Sequence, residues 1–292
     1  MKNKNLALVT YAQRGSFGSA VPDEDLMVKE ALEQKGFTVD LQVWDDESVN
    51  WETYEAVIIK SPWDYFDKPQ AWFQWLEKMQ ALGSKVLNPV EILNWNSDKN
   101  YLLQMAAEGF SIVPTRVVEK PEQLHSALFD TFGLDKLVMK PKISGGAKQT
   151  VILHQTESES LTKYAEWVKE EAYLIQPFME EVATVGEYSY VFFNGKFSHA
   201  LLKTPSQGDF RVQHYFGGTI QSVVPSEGVL AQAQAFIDQY AKGCLYARVD
   251  GVLRGEKLFL MELELIEPYL FLFTHPQALE HYTQALIDML NE

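Results

Sequence analysis

Two apolar stretches near the C-terminus, Leu245–Leu253 and Leu258–Ile266, carry charged residues two positions apart: Arg248 and Asp250 in the first, Glu262 and Glu264 in the second. Successive side chains of a strand alternate between faces, so each pair shares one face, and Met261, Leu263 and Leu265 are expected on the other. Arg254-Gly255-Glu256-Lys257 between them reads as a hairpin turn. A strand with its glutamates in water would explain the second stretch taken alone, but the first stretch brings charges of its own. Setting Asp250 opposite Glu262 and Arg248 opposite Glu264 predicts the odd-length loop Gly255-Glu256-Lys257, whereas a two-residue turn at Gly255-Glu256 would pair Asp250 with Met261. In the first register three carboxylates and one arginine converge. Oxygen-only ligands crowded in this way suit Mg²⁺ or Mn²⁺, and a magnesium ion so held usually brings substrate phosphates with it.

A phosphate site is therefore sought among the scarce cations, since 40 acidic residues against 25 basic ones leave a net charge of −15. That field repels nucleic acid and leaves only locally convergent cations for a small anion. Lys140 interrupts the apolar strand Leu137–Lys140, followed by Ser144-Gly145-Gly146-Ala147-Lys148 and a return strand. Small residues let backbone N–H groups approach an anion there; an ordinary β-turn is the plainer reading, and the spacing is not that of a Walker loop. Tyr173-Leu-Ile-Gln176-Pro177-Phe178-Met179 is an apolar strand ended by proline, with free backbone groups and apolar flanks suited to a purine, or simply a strand end.

Strand and helix patterns alternate before Pro89: strands 6–10, 38–44, 56–60 and 85–87, and helices 23–34 and 70–82, the first with Leu26, Ala31 and Leu32 on its apolar face. This predicts an α/β domain with a parallel, doubly wound sheet over residues 1–95. Gly15-Ser16-Phe17-Gly18 after the first strand lacks the full dinucleotide fingerprint. From residue 96 a helix over Ser97–Glu108 opens an α+β region running to 292, divided near residue 175. With 46% hydrophobic residues, a lone cysteine (Cys244), no secretory signal in the opening residues and no clean apolar run, a cytoplasmic protein without disulfide or membrane span is expected.

In this order the pieces resemble the ATP-grasp carboxylate–amine ligases from about Asn96 onward. The resemblance implies that Lys99 and Lys140 hold nucleotide phosphates and that Ser144-Gly145-Gly146 covers them. It implies that Gln176, Pro177, Phe178 and Met179 contact adenine, that Glu180 or Glu181 takes the ribose, and that Asp250, Glu262 and Glu264 hold magnesium. Many members carry Glu-x-Asn where this chain has Glu262-x-Glu264. Ser61-Pro-Trp63-Asp64-Tyr65, Gly186-Glu187-Tyr-Ser189, Arg248-Val-Asp250-Gly and Met261-Glu-Leu-Glu-Leu-Ile-Glu267-Pro are similar to a subgroup that includes a cyclo-ligase of cycloserine biosynthesis, with Lys60 where an arginine is more familiar.

The implied reaction is attack of a small substrate's carboxylate on the γ-phosphate of ATP, then displacement of phosphate from the acyl phosphate by a nitrogen nucleophile, within an amino acid derivative or from a second molecule. Arg211 and Arg248 are candidates to stabilise the acyl phosphate, Glu187 and Lys203 to complete the nucleotide site, and Trp63 and Asp64 to contact substrate. A nucleotide-binding regulator without turnover and a carboxylate kinase are the rival readings. No partner beyond a small molecule is indicated, and whether the chain is a monomer or a dimer is left open.

Overall fold

The computed structural model describes residues 4–13, 21–82, 85–206, 211–212 and 217–291, so the Gly15–Gly18 stretch lies outside the described residues. Asn5–Thr10 (β1), Thr38–Val43 (β2), Ala56–Ile59 (β3) and Val86–Leu87 (β4) form a parallel sheet in the order β2-β1-β3-β4. The inner strands β1 and β3 are near-continuous buried apolar runs because both faces are covered, whereas the edge strand β2 alternates, with Asp40 exposed. Leu6 and Leu8 face Glu24–Gln34 (α1) and the C-terminal helix Ala278–Asn291, whereas Ala7 and Val9 face a tryptophan-rich cluster with Pro69–Ala81 (α2). The C-terminal helix therefore packs back onto the first sheet, although nothing in its own pattern indicates where it docks.

Asp23 caps α1 by accepting the Leu26 N–H at 3.1 Å. The buried stripe of that helix is Glu24, Asp25, Val28 and Leu32, and Leu26 is exposed, which rotates the face away from the one expected. Glu24 stands one and two turns before Val28 and Leu32, so a carboxylate is carried into the interior and needs a partner there.

The expected helix over Ser97–Glu108 forms only over Tyr101–Ala107 (α4), and a separate short helix, Val90–Asn96 (α3), ends before it. Asp98 accepts the Asn100 N–H at 2.9 Å, and the Lys99 N–H leaves the helical ladder for the carbonyl of Lys142 at 3.0 Å. The break aims Lys99 out of the helix and into the protein.

A second sheet, antiparallel, has Arg116–Val118 (β5), Lys136–Pro141 (β6), Val151–His154 (β7) and Tyr173–Pro177 (β8) in the order β5-β8-β6-β7. Leu137 and Met139 of β6 enter a core with Ala127–Phe132 (α5) and Ser158–Trp167 (α6), which leaves Val138 and Lys140 for the opposite face. Glu180–Thr184, just past β8, is a short helix (α7) that periodicity did not reveal.

The third sheet runs β11-β10-β9-β12-β13, all antiparallel, from Glu187–Phe193 (β9), Lys196–Thr204 (β10), Thr219–Val223 (β11), Tyr246–Arg254 (β12) and Lys257–Glu264 (β13). Tyr190, Phe192, Ala247, Val249, Leu260 and Leu263 pack on Glu227–Tyr240 (α8), and the other face carries the charges. Among the described residues no helix is long and apolar enough to cross a membrane.

Candidate functional site

The β12–β13 hairpin does not have the expected three-residue loop. Arg254 pairs with Lys257, so Gly255 and Glu256 alone form the turn, with Gly255 at φ +60° as a II′ turn requires at its first position. That register continues to Gly251 opposite Leu260 and then shifts, so that Asp250 faces Glu262 and Arg248 faces Glu264. Met261 is the extra residue of a β-bulge. The bulge also explains why Leu258 and Leu260, then Leu263 and Leu265, all reach the same core although their numbers change parity. Met261 itself lines the cavity beside Glu262 and Glu264 and is not on the core side where simple alternation placed it.

A cavity of about 630 Å³ lies between the three sheets. It gathers Lys99, Lys140, Ser144, Gly145, Gly146, Gln176, Pro177, Phe178, Met179, Glu187, Lys203, Arg211, Arg248, Asp250, Glu262, Glu264 and Trp63 among its walls. Three expected site residues stand elsewhere. Asp64 accepts the Trp44 indole N–H at 2.7 Å and the Lys68 ammonium at 2.9 Å and does not line the cavity, because its turn directs the carboxylate at β2's neighbours. Glu180 pairs with Lys136 at 3.4 Å and Glu181 with Arg254, and neither lines the cavity.

Inside the cavity the charges form two linked groups. Arg248, 7% exposed, donates through Nε to both carboxylate oxygens of Asp250 (3.0 and 3.1 Å), through Nη2 to Asp250 (2.8 Å) and Glu264, and through Nη1 to the Tyr269 carbonyl (2.7 Å). Asp250 also receives the Ser189 hydroxyl and stands 3.5 Å from Lys203, which pairs with Glu187. Lys99 lies 3.2 Å from Glu262 and donates to the Ser144 carbonyl, and Lys140 donates to the Met261 carbonyl at 3.4 Å.

Burial penalises every charge here, and the outcome depends on partners. Burial alone would raise Asp250, but Arg248 and Lys203 outweigh it and hold the carboxyl below its usual range. Glu262 is likewise held down by Lys99 and Lys140 against its own burial. Burial wins at Glu264, which is pushed well above the usual range, and at Glu267, pushed up to about 8. Burial lowers the Lys140 ammonium.

The three carboxylates share a face and a register, yet among the described residues no three acidic, histidine or cysteine side chains close into a metal-chelating cluster. Arg248 pairs with Asp250 and Glu264, and Lys99 with Glu262, so protein cations neutralise the three carboxylates. For Mg²⁺ the donor set is right in kind, all hard oxygens, and right in placement on one sheet face, with a protein cation in the way.

Sequence reasoning did not find Lys60 and Glu24 as a pair. Lys60, 1% exposed, binds Glu24 at 2.9 Å, and Glu24 accepts the Leu270 and Leu272 N–H groups at 2.9 and 2.8 Å. The signal was the acidic residue on the buried stripe of α1. Tyr11, Phe66, Tyr269 and Phe271 also line this end of the cavity, with Tyr11 and Trp63 ring centroids 5.7 Å apart, and no local pattern marks them.

Residues 6–88 match the family model of the N-terminal domain of D-cycloserine synthetase DcsG. The cycloserine biosynthesis protein DcsG of Streptomyces lavendulae is 26% identical over 304 residues, covering 98% of each chain. The crystal structure of D-cycloserine synthetase DcsG superposes with a TM-score of 0.84 at 26% identity, covering 98% of this chain and 99% of that one. D-alanine–D-alanine ligase from Bacillus anthracis shares the fold at a TM-score of 0.67 and 15% identity, covering 99% and 96%. With lysines and carboxylates gathered in one cavity between a parallel and two antiparallel sheets, the chain has the ATP-grasp fold, and its likeness to a cycloserine synthetase over nearly its whole length makes it an ATP-dependent ligase that forms C–N bonds.

Proposed function

We propose that this cavity activates the carboxylate of a small amino acid derivative as an acyl phosphate and closes an amide on it, within the same molecule as the cycloserine relatives' names suggest. The observation that carries the reading is the gathering of Lys99, Lys140, Glu262, Asp250 and Arg248 in one cavity, with Lys99 against Glu262 and Arg248 against Asp250. Lys99 and Lys140 hold the triphosphate under the Ser144-Gly145-Gly146 loop, and Gln176–Met179 receives adenine. Asp250, Glu262 and Glu264 would hold Mg²⁺, which when bound neutralises charge on the phosphates. Arg248, with Arg211 also lining the cavity, orients the substrate carboxylate; its oxygen attacks the γ-phosphorus and ADP leaves. A nitrogen lone pair then attacks the acyl carbon, the C–O bond to phosphate breaks, and the nitrogen's proton leaves with phosphate or water. Trp63 walls the substrate end, so residues 1–95 supply the substrate side and 96–292 the nucleotide side.

The test is ADP release with Mg·ATP across a panel of amino acids and their O-substituted derivatives, with and without hydroxylamine. Stimulated ADP release, a hydroxamate in the trap and an amide without it support the reading. Hydroxamate with no amide would make the chain a carboxylate kinase, and ATP binding with no release for any member of the panel would leave a nucleotide-binding protein without turnover.

A further inference from the structure

The turn after β3 meets the Ser144–Lys148 loop from across the cavity. A β-carbon on Gly145 would stand 2.6 Å from Cε1 of Phe66, so glycine is what lets the loop approach that ring. Lys148 pairs with the Asp67 carboxylate, and its ammonium lies 5.6 Å from the Phe66 ring centroid. Ile143, at the root of the loop, packs against the aromatic cluster of the first sheet. Within the loop Ala147 (φ +57°) and Gln149 (φ +49°) take a left-handed backbone that residues with a β-carbon seldom adopt. Such a conformation persists where its surroundings over-determine it.

We propose that Phe66 and Asp67 are positioning residues for the nucleotide: they hold the Ser144–Lys148 loop closed, Phe66 by packing on Gly145 and Asp67 through Lys148. The inference rests on the reading of that loop as the cover of the phosphates. The same turn is tied to the opposite wall, where the Trp63 indole N–H donates to the Glu267 carbonyl at 2.9 Å. One short segment thus braces the substrate end of the cavity and the cover of its phosphate end.

The test uses the full chain with Mg²⁺ and the nonhydrolysable analogue AMP-PNP, reading affinity by calorimetry and hydrogen exchange of residues 143–149. Asp67→Asn and Lys148→Gln are each expected to weaken binding about two- to fivefold and to speed exchange, the range an exposed ion pair supports. The double variant should be no weaker than either single, and high salt should narrow the gap to the parent. Gly145→Ala should weaken binding about tenfold or more, and adding Phe66→Ala should recover part of that loss by making room for the β-carbon. Additive losses in the ion-pair cycle, or a Gly145→Ala defect that Phe66→Ala does not relieve, would overturn the clasp. Lys140→Ala separates the two readings. If it weakens binding about tenfold or more while the Asp67 and Phe66 variants bind and exchange like the parent, the clasp fails and the nucleotide site stands; if the parent itself binds no AMP-PNP, both fail.

Discussion

Asp250 faces Glu262 across the β12–β13 pair because one residue, Met261, is extra on its strand. Without that bulge the two-residue turn would have set Asp250 against Met261 and sent Glu262 and Glu264 into the core behind the sheet. Gly251, the next residue on β12, is part of the device: a β-carbon there would lie 2.4 Å from the Phe259 carbonyl oxygen. Gly251→Ala is expected to destabilise the fold by about 2–4 kcal/mol, as backbone clashes at well-packed sites do. Urea unfolding should show a lower midpoint with an unchanged slope, and a midpoint equal to the parent's would mean that the bulge has room to relax.

Lys140→Ala should weaken Mg·ATP binding about tenfold or more, the worth of roughly 1.5–3 kcal/mol for a charge-assisted phosphate contact. The side chain projects from β6 into the cavity, and its polar contact is with the Met261 carbonyl, so the chain should still fold. Isothermal calorimetry giving equal affinities would remove Lys140 from the phosphate site.

Magnesium should bind as a nucleotide complex and hardly at all by itself. Arg248 occupies Asp250 and Glu264, and Lys99 occupies Glu262, so a bare cation must displace protein cations from every carboxylate it would use. A triphosphate gives Lys99 and Arg248 an alternative anion. Titrating MgCl₂ alone should give little heat, and titrating it in the presence of AMP-PNP should saturate; tight binding without nucleotide would contradict this view of the site.

His199 links stability to pH outside the site. It is buried, its Nε2 is 2.9 Å from the Leu270 carbonyl, and burial lowers its pKa to about 4, below the 6.5 of a free imidazole. The unfolded chain takes up this proton first as pH falls through about 6.5, so stability declines from there until the folded protein is also protonated near 4. By pH 5 the loss is of order 2 kcal/mol. His199→Gln, which keeps a donor for Leu270, should lose less stability than the parent between pH 7 and 5 in parallel denaturation curves. NMR titration showing His199 protonating near 6.5 in the folded protein would refute the argument.

Local rules carried much of this structure. The parallel sheet follows from apolar runs buried on both faces, and the shared face of Glu262 and Glu264 from strand parity, because each depends only on neighbours along the chain. The lysine inside β6 was conspicuous for the same reason: a charge in an apolar strand must face something polar. Tertiary structure decided the rest. Alternation cannot say which residue of a strand is extra, so the bulge at Met261 depended on the register against β12 and on where the leucines of β13 met α8. Nor could it say that Trp44 and Lys68 would take Asp64 away from the cavity, that Lys142 would draw the Lys99 backbone out of a helix, or that Glu24 would find Lys60. A carboxylate's pattern in sequence shows that it must be solvated or paired, whereas the partner is chosen by distances between segments that only the folded chain brings together.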